Sequence, residues 1–135
     1  MRKVLAFGTF DILHPGHAYI LTEAKKQGDH LTVIVARDAT VQQVKGQQPL
    51  FNEQQRLKNL EKLQIADKIR LGNTGDKYQV IIDEDPDIIV LGYDQKFFTD
   101  KLQDVVKKHV QIVRLEAFKP EIYKSSKLRA ALLEV

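Results

Sequence analysis

Cysteine is absent from all 135 residues, which removes disulfides, thiolate metal sites and a cysteine nucleophile together. Long apolar runs are missing too. No stretch approaches the roughly 18 to 20 consecutive apolar residues that a membrane span needs, and Met1-Arg2-Lys3 leads into a strand-like run with no small-residue cleavage site. Charge comes in no blocks: the net charge is only +3, with basic and acidic residues interspersed, so there is no basic stripe for nucleic acid. Repeats, linkers and low-complexity segments are also lacking. These absences lead to the expectation of one cytoplasmic domain over residues 1–135, with partners that are neither nucleic acid nor membrane. The 43% hydrophobic residues are enough for a single core.

What is present alternates between two patterns. Residues 3–7, 31–36 and 87–91 carry largely apolar runs without polar alternation, as expected of strands covered on both faces, residues 65–71 are a plausible further strand, and residues 110–115 make a fifth. Between the runs the period changes. His17, Ile20, Leu21 and Ala24 share one helical stripe ending near Gly28. A polar stretch over residues 38–50 reads as a short helical turn and a mobile loop. Asn52 can cap a helix with Gln55 closing a capping box and Leu57, Leu60 and Leu63 facing inward. Further helices fit residues 78–83, stopped before Asp85-Pro86, residues 99–108, and the segment from Ser125 onward. Strand and helix alternating at this spacing predict an α/β fold with right-handed crossovers. The expected form is a Rossmann-like, doubly wound, five-stranded parallel sheet of order 3-2-1-4-5, with helices on both faces.

In such a sheet the ligand sits beyond the carboxyl ends of the strands, where the strand order reverses. Four loops should meet there. The first, from Gly8 to His17, breaks a strand into a glycine turn and sets His14 and His17 three apart at a helix start. Gly8 and Gly16 allow close backbone approach, the helix start offers amides to a phosphate, and both histidines can donate to its oxygens. His17 equally fits a satisfied core histidine on the stripe with Ile20 and Leu21, and the residues alone leave both readings open. The second loop places Asp38 where a ribose hydroxyl could be bonded. The third holds Gly92-Tyr93-Asp94-Gln95, with a ring for stacking and a carboxylate for a hydroxyl or a metal ion. The fourth, Tyr123 to Arg129, combines Ser125 and Ser126 with the cations Lys124 and Arg129. Lys45 in its loop could close over an anion, and Arg56 could face either the crevice or water.

The run Gly8-Thr9-Phe10-Asp11 with His14-Pro15-Gly16-His17 resembles the signature of the nucleotidyltransferase family that contains cytidylyltransferases, phosphopantetheine adenylyltransferase and archaeal FAD synthase. Ser125-Ser126 with Arg129 is similar to that family's second motif. The resemblance implies transfer of a nucleoside monophosphate from a nucleoside triphosphate to a small phosphorylated acceptor, with release of pyrophosphate. It implies that His14 and His17 stabilise the α-phosphate and that Thr9 and Phe10 contact phosphates. Asp11 would order the turn or the acceptor, with Arg56 and Tyr93 on the acceptor side. Asp38 and Asp94 would contact the nucleoside or the metal. Ser126 and Arg129 would hold the β and γ phosphates, Lys45 the acceptor or triphosphate, and Mg²⁺ would bridge the phosphates. Family members are often dimers, so a homodimer is the assembly it suggests.

Within that family, Ala36-Arg37-Asp38, Lys45-Gly46 and the run from Pro86 to Gln95 look most like archaeal-type FAD synthase, which points to ATP and FMN. Glycerol-3-phosphate cytidylyltransferase shares the first motif, but its second usually begins Arg-Thr and ends Gly-Ile-Ser-Thr. This chain has Lys119 to Ser126 in a different order. A CTP-dependent enzyme acting on glycerol 3-phosphate is the alternative, and a non-catalytic nucleotide sensor is the alternative of another class.

Overall fold

The computed structural model describes residues 2–73, 78–91 and 110–114, with backbone alone at Val44, Lys45 and Arg114. Its elements run β1 (Lys3–Gly8), α1 (Pro15–Lys25), β2 (His30–Val35), α2 (Asp38–Lys45), α3 (Glu53–Glu61), β3 (Lys68–Leu71), α4 (Gln79–Glu84), β4 (Ile88–Leu91) and β5 (Gln111–Arg114). All five strands pair in parallel in the order β3-β2-β1-β4-β5. The Rossmann-like sheet read from the sequence is therefore the one observed. The helices expected over residues 99–108 and after Ser125 lie outside the described residues.

The central strands β1, β2 and β4 are largely apolar because both faces of the sheet are covered there, whereas the edge strands β3 and β5 each carry an arginine. Val4, Ala6, Val33, Val35, Ile88 and Val90 turn to one side, against Leu21 and Ala24 of α1 and Leu60 of α3. Leu5, Ile34, Ile89 and Leu91 turn to the other, against Val80 and Ile81 of α4. From β1 the chain winds outward through β2 to β3, then crosses back to lay β4 on the free side of β1. The crevice between the carboxyl ends of β1 and β4 is where the loops diverge.

Two boundaries and one cap differ from the sequence reading, each for a local reason. The polar stretch after Asp38 forms eight residues of helix, closed by Gly46 at φ +74°, so the loop shrinks to the residues that follow. Gln64 takes a left-handed turn at φ +54°, which delays β3 to Lys68. Ile65 and Ala66 still pack on the core, but ahead of the strand, and Leu63, expected on the helix, packs there from the turn after α3. At α3, Asn52 Oδ1 accepts from the Gln55 amide at 2.9 Å, while the Gln55 side chain reaches forward to Asn59 at 2.8 Å and leaves the capping box half closed.

The amino-terminal end of the sheet is closed by carboxylates. Asp29, Asp67 and Asp87 each stand just before a strand, and each accepts an amide from the neighbouring one: Arg2 N at 2.7 Å, Leu31 N at 2.8 Å and Lys3 N at 2.8 Å. The Leu31 amide, helped by the charge of Lys25, holds the Asp67 carboxyl below its ordinary range. A carboxyl lowered in the folded state stabilises the fold above its unfolded value near 3.8 and loses that contribution as pH falls through the lower folded value. Asp67→Asn is therefore expected to lower stability at neutral pH by about 1 kcal/mol and to flatten the acid side of the stability curve below pH ~4. Urea unfolding of both proteins between pH 3 and 7 measures this, and parallel acid limbs would contradict it.

Candidate active site

The turn leaving β1 is built around an aromatic ring. Phe10 sits at φ +54°, a conformation that L side chains rarely adopt, and its ring is buried with 4% exposure. The ring lies directly over Gly8, where an added Cβ would come within 2.6 Å of Phe10 Cε2. The glycine thus makes room for a side chain of its own turn, in addition to any close approach by a ligand. The Phe10 ring also meets His17 edge to face, with centroids 5.4 Å apart at 62°. His17 in turn stacks on His14, with centroids 4.0 Å apart and planes tilted by 31°. The histidine pair read from the sequence is thus a true neighbour pair, backed by Phe10.

His14 caps α1. Its Nδ1 accepts from the Gly16 amide at 3.1 Å, and its carbonyl accepts from the His17 amide at 2.9 Å. Since Nδ1 must offer a lone pair to that amide, a neutral His14 ring carries its proton on Nε2 and presents a donor there. The helix start differs here from the expectation of free amides. Pro15 has no N–H, and those of Gly16 and His17 already have partners within the cap. Gly16 is a buried second helical residue.

Around this turn a polar frame joins four segments. Asp11, 7% exposed, accepts the amides of Leu50 at 2.7 Å and Phe51 at 2.8 Å, so it orders the corner leading into α3. Arg56 is 0% exposed. It donates from Nη1 to the Thr9 carbonyl at 2.8 Å, from Nε to the Phe51 carbonyl at 3.0 Å and from Nη2 to Asp38 Oδ1 at 2.7 Å. The expected choice between crevice and water is thus resolved in favour of neither: the guanidinium points into the protein. Asp38 Oδ2 accepts from the Glu53 amide at 3.2 Å, while Glu53 Oε1 accepts from the Asp38 amide at 2.9 Å. Each carboxylate therefore caps the first turn of the other's helix. Arg37 completes the frame, donating to Glu53 Oε2 at 3.0 Å and to the Gly72 carbonyl at 2.7 Å.

The structure thus gathers Gly8, Thr9, Phe10, Asp11, His14, Gly16, His17, Asp38 and Arg56 at the carboxyl end of the sheet. Lys45 closes α2, seven residues on from Asp38, about 10 Å along the helix. Tyr93, Asp94, Ser125, Ser126 and Arg129 lie outside the described residues. Glu53 went unnoticed in the sequence, where it reads as an ordinary acidic first-turn residue. Among the described residues, there is no group of three or more His, Asp or Glu that could hold a metal ion.

A family model described as cytidylyltransferase-like matches residues 5–131. The chain belongs to the cytidylyltransferase-like family. A protein of Thermoplasma volcanium named FAD synthase is 43% identical over 138 residues, covering 100% of this chain and 96% of the relative. One of Aciduliprofundum boonei with the same name is 46% identical over 121 residues, covering 87% and 80%. A crystal structure described as the lipopolysaccharide core biosynthesis protein from Thermoplasma volcanium superposes with a TM-score of 0.81 at 45% identity, over 88% of this chain and 99% of that one. This member of the cytidylyltransferase-like family is a nucleotidyltransferase enzyme, and its paired imidazoles stand at the crevice where such a fold binds nucleotide.

Proposed function

We propose that the enzyme transfers AMP from ATP to FMN, forming FAD and pyrophosphate. The observation that carries this reading is the histidine pair at the carboxyl end of β1, in a chain whose relatives are named FAD synthase over nearly their whole length. A phosphate oxygen of FMN attacks the α-phosphorus of ATP. The bond from that phosphorus to the bridging oxygen breaks, and pyrophosphate leaves with the electron pair. Charge builds on the α-phosphate oxygens as the fifth oxygen approaches. His14, through Nε2, and His17 donate to those oxygens, and preorganised donors of this kind act most strongly on transition-state charge. No covalent intermediate on the protein is needed.

The resemblance adds the remaining roles to this proposal. Ser126 and Arg129, with Ser125, hold the β and γ phosphates, Lys45 approaches the acceptor or triphosphate, and Tyr93 and Asp94 contact the acceptor and nucleoside sides. The resemblance implies Asp94 as the protein ligand of a Mg²⁺ ion, which when bound would neutralise part of the phosphate charge. The setting proposed is the cytoplasm.

Pyrophosphate release measured with ATP or CTP, each against FMN, glycerol 3-phosphate and phosphocholine, tests the reading. Turnover is expected with ATP and FMN, and chromatography should show FAD in equal amount to the pyrophosphate. Turnover confined to CTP with glycerol 3-phosphate would replace the proposed substrates with the cytidylyltransferase pair. Nucleotide binding with no pyrophosphate from any pair would make the domain a sensor.

A further inference from the structure

We propose that Arg56 is a positioning residue for the histidine pair, acting through the Thr9 carbonyl and the Phe10 ring. The inference rests on the nucleotidyl-transfer reading for its activity readout. Arg56 lies forty-seven residues from Thr9 in sequence, yet its Nη1 holds that carbonyl at 2.8 Å. The next residue, Phe10, is the one at φ +54°, and its ring packs over Gly8 and meets His17. Fixing the carbonyl of Thr9 fixes the peptide plane that enters Phe10. The direction of the Phe10 ring, and with it the backing of His17, follows from that plane.

The attachment also runs in the opposite direction. Asp11, one residue beyond Phe10, holds the amides of Leu50 and Phe51, while Arg56 holds the carbonyl of Phe51 at 3.0 Å. The turn grips the corner and the corner grips the turn, so the ring is clamped on both sides of its backbone. Only a guanidinium can do this from one buried point. It presents donors in a rigid planar fork, and here three of its nitrogens serve three separate segments. A lysine could keep the charge opposite Asp38, but not all three directions.

The test uses the full-length enzyme and two variants, Arg56→Lys and Arg56→Gly, the second with and without added methylguanidinium. For each, turnover is corrected for the folded fraction measured by urea titration, and the imidazole nitrogens of His14 and His17 are followed by NMR. In Arg56→Lys, kcat is expected to fall roughly tenfold to a hundredfold, the effect of a sub-ångström to ångström misplacement, while the KM values for ATP and FMN stay within a factor of about three, because positioning acts on the transition state. The imidazole signals should shift in both variants, and methylguanidinium should restore part of the rate and of the shift in Arg56→Gly. Wild-type kcat per folded molecule in Arg56→Lys, or unmoved imidazole signals, overturns the proposal in favour of a purely structural arginine. A raised KM for FMN with unchanged kcat overturns it in favour of an acceptor contact. If the wild-type protein turns over no substrate pair, the proposed reaction fails, and the imidazole shifts alone still decide whether Arg56 sets the pair.

Discussion

His17→Ala is expected to fold cooperatively and to lose roughly two to three orders of magnitude in turnover, the loss typical of removing one preorganised donor. The geometry explains why the loss should appear in kcat. His17 leans on Phe10 and stacks on His14, so its ring is held in place before substrate arrives. Donation to an α-phosphate oxygen then strengthens only as charge accumulates there, so KM for ATP should move little. The stability cost should be modest, because the ring is only half buried and most of the core beside the turn is supplied by β1, β2 and α1. Single-turnover kinetics beside urea unfolding check both halves. A protein that unfolds, or one that keeps its rate, would mean that His17 is a core histidine of α1.

Gly8→Ala should damage the same pair from the opposite side. The glycine takes no positive φ, so the added methyl group meets no backbone penalty. What it meets is the Phe10 ring, with contacts of 2.6 Å and 2.7 Å that van der Waals repulsion forbids. An exposed ring could swing aside cheaply, but this one is buried, and its backbone is held through Thr9 and Asp11. The ring must therefore push toward His17 or open the turn. Overpacking of this kind costs about 1–3 kcal/mol, and a displacement near 1 Å at the histidine can cost roughly a hundredfold in rate. The expected result is a protein with a lower urea midpoint, an unchanged m-value and kcat reduced far more than its folded fraction. Adding Phe10→Leu should relieve the clash and recover stability without recovering the rate, since no ring then backs His17.

The sheet was readable in the sequence because burial on both faces leaves a simple mark: Ile88 to Leu91 is apolar throughout, and Leu31 to Val35 is apolar but for Thr32. The histidine pair was readable because the cap, the turn and both rings lie within ten residues. Distance in sequence hid the rest. Asp38 and Glu53 exchange caps across fifteen positions, and nothing local to either distinguishes that pairing from an ordinary acidic helix start. Arg56 did leave a signal. It stands four residues before Leu60, on the stripe of α3 that faces the core, and a charge at that spacing belongs to the interior. The role of Gly8 was legible only in part, because its close neighbour is a side chain two residues on, whose direction depends on a left-handed backbone that phenylalanine seldom adopts.

The exchange of caps between Asp38 and Glu53 also bears on how this region opens. If the first turn of α2 unwinds, Glu53 loses the amide it accepts, and the α3 amide loses its carboxylate in the same event. Fraying of either helix thus removes the terminus of the other, so the two starts share one opening equilibrium. Hydrogen exchange at both ends should then report a single unit, and the corner that Asp11 and Arg56 hold beside the histidines belongs to it.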